Sequence, residues 1–226
     1  MSTVVRVAPQ ATADLPALRA LARALDGPSG GAANVLVLGD DHESGQNAVV
    51  LAAWLAPQTT GLRIVPEVPV THTEPFHVAT STATLDHVRR GRAGWSPTAQ
   101  TTTGAAELTG RRPAAEFGAW RELGEVVDVV RRLWTSWEPD AEIRDADTAR
   151  FIDRDKVHYV DAEITDSVGE TYSVKGPSTV PRPPQGELPT LLPVDDPASG
   201  EVVQVNDSAE VLAAASRFGR GRQGEP

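Results

Sequence analysis

Short apolar runs alternate with segments of helical periodicity along the first hundred residues. The runs are rich in Val, Ile and Leu and are bounded by Gly, Pro or Asp, which is typical of β-strands. The segments between them repeat Leu, Val and Ala at helical spacing. We therefore predict strands at residues 3–8, 34–38, 62–70 and 92–95, and helices at residues 12–25, 46–55 and 74–88.

The order of these elements indicates the class of fold. Strands and helices alternate, and successive strands start about 30 residues apart, as in βα units. The strands are continuously apolar, which indicates burial on both faces. A parallel sheet covered by helices meets both conditions. The pattern is compatible with an open doubly wound sheet and with a barrel.

The next part of the chain contains the longest predicted helix. Residues 100–113 are rich in Thr and Gly and are predicted to form a loop. Residues 116–134 then predict a helix whose apolar face includes Phe117, Trp120 and Val126.

Residues 138–184 are polar and rich in turns, with one predicted hairpin at 157–164 and 170–174. Segments of this length inside an α/β fold tend to be functional or disordered. The remaining predictions are strands at 188–194 and 202–205, a helix at 208–218 with Ser208 as its cap, and a disordered tail at 219–226.

Composition and charge narrow the possible functions by exclusion. The chain has 226 residues, no Cys, 21 basic and 31 acidic side chains and a net charge of −10. The lack of Cys excludes disulfide scaffolds and thiolate chemistry. The acidic balance argues against nucleic acid and membrane surfaces as partners. Because no apolar run approaches the roughly 20 residues of a membrane span and no leader is recognisable, we expect a soluble, cytoplasmic protein.

A set of short motifs occurs in one order and spacing. They are TEPFH at 73–77, TLDHV at 84–88, GRAGW at 91–95, EVV at 125–127, SWE at 136–138, YSVKGP at 172–177 and PRPPQG at 181–186. Together they resemble the bacterial-luciferase-like flavin monooxygenases, in particular the nitrilotriacetate and dibenzothiophene-sulfone monooxygenase branch. The resemblance covers roughly residues 33–190.

The resemblance implies a TIM-barrel-like (β/α) fold in one domain, residues 1–218, with residues 138–184 as an insertion after the fourth βα unit. Only about six strands are recognisable, where a complete barrel has eight, so we expect an incomplete barrel. The family binds reduced FMN from a separate flavin reductase and oxidises small organic substrates with O2. A homo- or hetero-oligomer that covers the open sheet edge is also expected.

The same resemblance implies four cofactor-binding residues at the strand ends, where barrel active sites lie. They are Asp40, Thr71, Ser96 and Gly200. No catalytic residue can be assigned, and the spacing of the five histidines matches no metal site. An alternative role for Asp40 and Asp41 is to cap the next helix, and Trp95, Trp134 and Trp137 pack either on a ligand ring or in the core.

Several positions depart from the family pattern. Ser96 replaces an asparagine, and Phe117 stands where the family has a tyrosine. Residues 193–200 read PVDDPASG in place of a phosphate-binding turn, with two prolines that lack N–H groups and two carboxylates. We therefore predict a dissociation constant for FMN weaker than about 100 µM, which is roughly 5.5 kcal/mol of binding free energy.

Two functions are consistent with these features. The first is an FMN-dependent monooxygenase of the luciferase-like type. The second is a non-catalytic, reduced homologue that keeps the scaffold and acts as a binding or assembly partner.

Overall fold

The computed structural model describes residues 3–27, 34–44, 46–191 and 201–220. The chain forms two compact units. Unit 1 comprises Met1–Val68, Arg92–Pro97 and Pro189–Pro226, and unit 2 comprises Pro69–Gly91 and Thr98–Leu188. Residues 193–200, which stand in place of the family's phosphate-binding turn and include the predicted cofactor contact Gly200, lie outside the described residues.

A five-stranded sheet in the order β4–β3–β2–β1–β9 is the centre of unit 1. Its strands are β1 (Thr3–Val7), β2 (Val35–Leu38), β3 (Arg63–Pro69), β4 (Ser96–Thr98) and β9 (Glu201–Val205). Strand β1 pairs in parallel with β2 and β9, and β2 pairs in parallel with β3, as predicted. Thr190 makes a parallel bridge to Trp95 and marks a sixth strand position. Within the described ranges these strands do not close into a ring.

Alternating residues of these strands pack on opposite faces of the sheet. On one face Val5, Val7 and Leu36 are fully buried. On the other face Val4, Val37 and Val65 form a valine cluster. Partly buried Val35, Leu191 and Val202 pack against this cluster, so residues from both ends of the strand order meet in it.

Three helices belong to unit 1: α1 (Leu15–Leu25), α2 (Ala48–Leu55) and α6 (Ser208–Arg220). Each begins after an Asp or Asn whose side chain accepts a hydrogen bond from the first turn. For α6 this residue is Asp207, whose Oδ1 accepts from the N–H of Glu210 at 2.9 Å. The prediction that Ser208 caps this helix is therefore wrong, because Ser208 is already its first residue. The helix ends at Arg220, and residues 221–226 lie outside the described part.

Unit 2 contains three helices and two antiparallel hairpins. The helices are α3 (Pro75–Arg89), α4 (Thr103–Thr109) and α5 (Glu116–Trp134), and the hairpins pair β5 (Glu142–Asp145) with β6 (Arg150–Ile152) and β7 (Val160–Thr165) with β8 (Thr171–Gly176). Helices α3 and α5 pack together, and Trp134 Nε1 donates to the Ala79 carbonyl at 3.1 Å. No described helix of either unit is long and apolar enough to cross a bilayer.

The structure corrects three predictions about elements. Residues 103–109 form helix α4 and not a loop, because Thr102 caps the first turn and Gly110 ends the helix in the left-handed region. The strand predicted at 92–95 is β4 at Ser96–Thr98, and residues 93 and 95 make only isolated bridges. The strand predicted at 188–194 is, in its described residues, a single bridge at Thr190.

Helix α5 has the predicted bounds, and most of its predicted apolar face is buried, namely Leu123, Val126, Val130, Leu133 and Trp134, but its N-terminal part differs from the prediction. Phe117 is 82% exposed and Trp120 is 47% exposed, whereas Gly118 and Glu122 are buried. The reason is a close approach: a Cβ at Gly118 would lie 2.3 Å from the Ser167 carbonyl oxygen in the β7–β8 turn. The helix therefore turns Gly118 toward the hairpin, and Phe117 and Trp120 face outward.

The three tryptophans singled out from the sequence are core residues. Trp95, Trp134 and Trp137 are buried. Each indole N–H donates to a protein oxygen: Thr190 Oγ1 at 3.0 Å, the Ala79 carbonyl at 3.1 Å and the Ser178 carbonyl at 2.8 Å, respectively. The core interpretation is confirmed, because buried indoles with bonded N–H groups serve packing.

Candidate functional site

Asp40 lies just beyond the C-terminal end of β2, on the side of the unit 1 sheet where its parallel strands end, here called the strand-end edge. Its side chain is buried, and Oδ2 accepts a hydrogen bond at 2.8 Å from the N–H of Ala48, the first residue of α2. Asn47 is the cap of that helix, and its Oδ1 accepts from Val50 at 2.9 Å. Asp40 therefore braces the start of α2, close to the capping role considered from the sequence.

The surroundings of Asp40 favour its protonated form. Burial raises the pKa of this carboxyl to about 7. The hydrogen bond from Ala48 acts in the opposite direction, and the negative charges of Asp41 and Glu67 raise the pKa further. A carboxyl group that titrates near neutral pH can hold or release a proton, which is the property required of a general acid or base.

An ion pair lies on the same face of this sheet as the valine cluster. Arg6 of β1 reaches over β2 to Glu67 of β3, with Nε–Oε1 and Nη2–Oε2 distances of 2.6 Å each. Glu67 is almost fully buried, and the Arg6 side chain is 23% exposed. This paired geometry fixes both side chains, as planar guanidinium–carboxylate pairs do. Composition and motif analysis did not single out either residue.

Two of the other predicted flavin contacts, Ser96 and Thr71, are buried side chains. Ser96 is buried on β4 in unit 1, and no hydrogen bond joins it to Asp40 among the described residues. Thr71 is fully buried in unit 2, where its Oγ1 accepts from the N–H of Gln100 at 3.0 Å. Gly200 is outside the described residues. The flavin role of all four positions stays a prediction.

A cavity of about 290 Å³ lies within unit 2. Its lining comes from the segment that follows β3, the connection between α4 and α5, the N-terminal half of α5, and the β7–β8 turn with the start of β8. Most of its lining residues are ionisable: His72, Glu74, Arg111, Glu122, Asp166, Glu170 and Tyr172, with Thr73 and Thr171. This volume is at the lower end of the range for small-molecule sites.

Glu122 is the buried acid of this cavity. It is 3% exposed, and its Oε2 accepts from the N–H of Ser167 at 2.9 Å. Burial raises its pKa, the hydrogen bonds from Ser167 oppose that shift, and the charge of Asp166 adds to it. Burial and the nearby carboxylates, with Glu122 first among them, also raise the pKa of Tyr172. The tyrosine is thus a neutral phenol at all physiological pH values.

The histidines are dispersed and make different contacts. His72 lines the cavity with a left-handed backbone (φ 68°), and His158 Nε2 lies 2.7 Å from Glu138 Oε1. His87 Nε2 is 3.3 Å from the Pro181 carbonyl. No three His, Asp or Glu residues of the described ranges are placed to hold a metal ion.

Sequence reasoning missed the cavity because its residues come from four segments that are separated along the chain, at 72–74, 111, 122 and 166–172. One signal was available. Glu122 stands in the stripe of α5 that contains Gly118, Val126 and Val130, so an acid occupies a core position of an amphipathic helix.

Two of the recognised motifs are bonded to each other in unit 2. Asp86 of TLDHV is buried, and its carboxylate accepts from Gln185 of PRPPQG, at 3.0 Å from the backbone N–H and 2.7 Å from Nε2. Gly186 of the same motif has φ 75°. These motifs therefore fix the 181–186 segment against α3 and do not line the cavity.

A sequence profile of the luciferase-like monooxygenases matches residues 1–205, which is most of the chain. The chain belongs to the luciferase-like monooxygenase family. It is 34% identical over 166 residues to an N-acetyl-S-(2-succino)cysteine monooxygenase of Bacillus subtilis, covering 73% of this chain and 36% of the relative. It is 36% identical over 154 residues to a dibenzothiophene-sulfone monooxygenase of Rhodococcus erythropolis, covering 66% and 33%.

Solved structures share the fold of this luciferase-like chain. A long-chain alkane monooxygenase superposes with a TM-score of 0.72 at 20% identity, over 98% of this chain and 61% of that one. A riboflavin lyase, solved with modified FMN, superposes with a TM-score of 0.70 at 22% identity, over 84% and 49%. The fold is thus of the TIM-barrel-like α/β class, with a sheet that is not closed in the described residues. The chain spans about a third of the length of the curated relatives it matches.

FMN is the cofactor of this luciferase-like family, so the strand-end edge of unit 1 can be tested for its phosphate. Asp40, Asp41 and Glu67 lie there, and the guanidinium of Arg6 is bonded to Glu67. A phosphate dianion would meet the negative charge of Asp41 and of ionised Asp40 at this edge, and the nearby guanidinium of Arg6 is already offset by Glu67. The described residues of this edge do not fit the phosphate.

Proposed function

We propose that this protein is a luciferase-like, FMN-dependent monooxygenase that oxidises a small organic molecule with O2. The observation that carries the proposal is the family match over residues 1–205 on a parallel sheet of the TIM-barrel-like class. Reduced FMN, when bound, supplies the activation of O2. The substrate class stays general, since the named relatives act on different sulfur-containing, alkane and aminocarboxylate compounds by their names.

A separate flavin reductase is part of this proposal. One relative, from Aminobacter aminovorans, is named component A of nitrilotriacetate monooxygenase, a designation that implies a further component. We further propose a cytoplasmic setting, in which a reductase can deliver reduced FMN directly. The candidate flavin contacts remain Asp40, Thr71, Ser96 and Gly200, and residues 1–218 are proposed to act as one domain with an insertion at 138–184.

The test is a reconstituted reaction with a flavin reductase, NADH, FMN and isotopically labelled O2. The expected result is labelled oxygen in an organic product, detected by mass spectrometry, from a panel of thioethers, sulfones, alkanes and aminocarboxylates. Fluorescence titration is expected to give a dissociation constant for FMN weaker than about 100 µM. A low-micromolar constant would contradict the weak-binding prediction without contradicting the monooxygenase proposal.

A second candidate function is a non-catalytic homologue that binds a ligand or an assembly partner. The acidic strand-end edge of unit 1 favours it, because the carboxylates of Asp40 and Asp41 oppose a phosphate and the charge of Arg6 is already offset by Glu67. Absence of any labelled product, together with no saturable flavin binding, supports this candidate. An oligomer that covers the sheet edge at β9 belongs to the same proposal, and sedimentation as a stable monomer would count against it.

A further inference from the structure

We propose that the cavity of unit 2 is a binding site for a small organic cation, either a primary amine or a guanidine. Binding of such a cation is a property in addition to the flavin chemistry, and every residue that lines the cavity belongs to unit 2. It depends on the shape, charge and preorganisation of the cavity.

The cavity is a formed site and not only a group of acids on the surface. Its volume of about 290 Å³ accommodates a molecule of the size of a single substituted ring. One wall contains the buried carboxyl group of Glu122, and another contains the half-buried aromatic side chain of Tyr172.

The charge of the lining selects for a cation. Four carboxylates face one guanidinium, that of Arg111: Glu74, Glu122, Asp166 and Glu170. Arg112, just outside the main cavity, is paired with Glu170. Even with that pair neutralised, the remaining lining carries more negative than positive charge. A bound cation would offset the cost of burying Glu122, since buried charges are stable when they are paired.

The acceptors are held in place before any ligand binds. Glu122 is fixed by the N–H of Ser167, and Glu74 is fixed as the cap of α3 by the N–H of His77 at 2.9 Å. Asp166 accepts from the backbone of its own turn, at 2.7 Å from the N–H of Glu170. Fixed acceptors reduce the entropy that binding must overcome.

The aromatic residue adds a preference within the class of cations. A tyrosine ring attracts ammonium and guanidinium groups through its negative face. The carboxylates accept N–H hydrogen bonds, which a primary amine or guanidine can donate and a quaternary ammonium cannot. We therefore expect a cation that has N–H groups and an apolar portion.

The test compares three probes of one shape on the full chain by calorimetry and NMR, without flavin. Benzylamine is the cation, benzyl alcohol the neutral isostere and benzoate the anion. Benzylamine is expected to bind at least about tenfold more tightly than benzyl alcohol, with benzoate weakest. On addition of benzylamine, the NMR chemical shifts of the backbone amides of Glu122, Ser167 and Tyr172 are expected to change. No saturable benzylamine binding up to about 10 mM would overturn the proposal, as would equal affinity for the three probes.

Matched variants locate the site. Glu122→Gln keeps an oxygen to accept from Ser167 but removes the charge, and a loss of about tenfold in benzylamine affinity is expected. Glu163→Gln removes the same charge from an exposed residue of β7 outside the cavity, and affinity is expected to change less than about twofold. Glu170→Gln changes an exposed residue of the cavity lining, and it provides a second measurement of benzylamine affinity if Glu122→Gln fails to fold. Equal effects of the lining variants and Glu163→Gln would refute the site.

Discussion

Alanine substitutions at two glycines of helix α5 test the close approach between this helix and the β7–β8 turn. A Cβ at Gly118 would lie 2.3 Å from the Ser167 carbonyl oxygen and about 3 Å from two further backbone atoms of Ser167. A Cβ at Gly124 would meet no heavy atom within 4 Å. The same chemical change on the same helix therefore meets backbone at one position and open space at the other.

The magnitudes follow from opposing effects. Replacing glycine by alanine inside a helix stabilises the folded state by about 0.5–1 kcal/mol, and this full gain is expected for Gly124→Ala. At Gly118 the gain is opposed by overpacking, which costs about 1–3 kcal/mol. Displacement of Ser167 also weakens its hydrogen bond to Glu122, and bonds to charged groups contribute about 1.5–3 kcal/mol. We expect Gly118→Ala to destabilise the protein by about 2 kcal/mol.

Urea denaturation followed by tryptophan fluorescence measures both free energies of unfolding, with thermal unfolding as a second method. The two variants are expected to differ by about 3 kcal/mol, which is a difference in Tm of about 6–12 °C for a chain of this size. Gly118→Ala is also expected to weaken benzylamine binding. If Gly118→Ala proved as stable as Gly124→Ala, the contact between α5 and the turn would be refuted.

Three further predictions concern buried charges. Because the folded-state pKa of Asp40 is about 7 and its ordinary value is 3.8, the wild type loses stability as pH rises between these values, by at most about 4 kcal/mol. Asp40→Asn is expected to remove that slope in urea titrations across pH, and an unchanged slope would contradict it. Arg6→Met is expected to cost about 3 kcal/mol by leaving Glu67 buried and unpaired, and Arg6→Met/Glu67→Leu is expected to recover most of that loss. Asp86→Ala is expected to lower the free energy of unfolding by about 2–3 kcal/mol and to speed proteolysis near Gln185. An unchanged cleavage rate would argue against a fixing role for the hydrogen bonds between Gln185 and Asp86.

Helix α5 illustrates what the sequence pattern could and could not predict. Its bounds at Glu116–Trp134 follow from periodicity and agree with the structure. Its apolar face from Leu123 to Trp134 is buried as predicted. The N-terminal part differs because Gly118 allows the backbone of another segment to approach, and hydrophobicity does not report such an approach. Tertiary contact overrode the pattern at Phe117 and Trp120.

The parallel strands could be predicted from the sequence, whereas one of the hairpins and helix α4 could not. The largely apolar strands β1, β2 and β3 were predictable, since burial on both faces leaves a strong composition signal, although Arg6 and Glu67 interrupt two of them. The hairpin of β5 and β6 was not predicted, because its two short strands are mostly exposed and polar. Helix α4 was missed for a related reason: its capping residue Thr102 stands in a run of threonines that suggests a loop.

The candidate flavin contacts and the cavity of unit 2 were identified by different kinds of evidence. Motif resemblance led to Asp40, Thr71 and Ser96, and the structure places these side chains in buried positions. The cavity of unit 2 contains none of them, and it was found only when distant segments were brought together.

This separation has a physical cause. A recognisable motif is a contiguous stretch of sequence. Its residue types are restricted when the stretch must keep one backbone geometry. The bond from Asp86 to Gln185 joins two such motifs, so their joint presence indicates this packing and, through it, the family fold. The cavity is lined in part by the ends of two other motifs, Glu74 of TEPFH and Tyr172 of YSVKGP, and in part by residues outside any motif, such as Glu122 and Asp166. A family resemblance carried by motifs is therefore strong evidence for the scaffold, while ligand chemistry must be argued from the cavity itself.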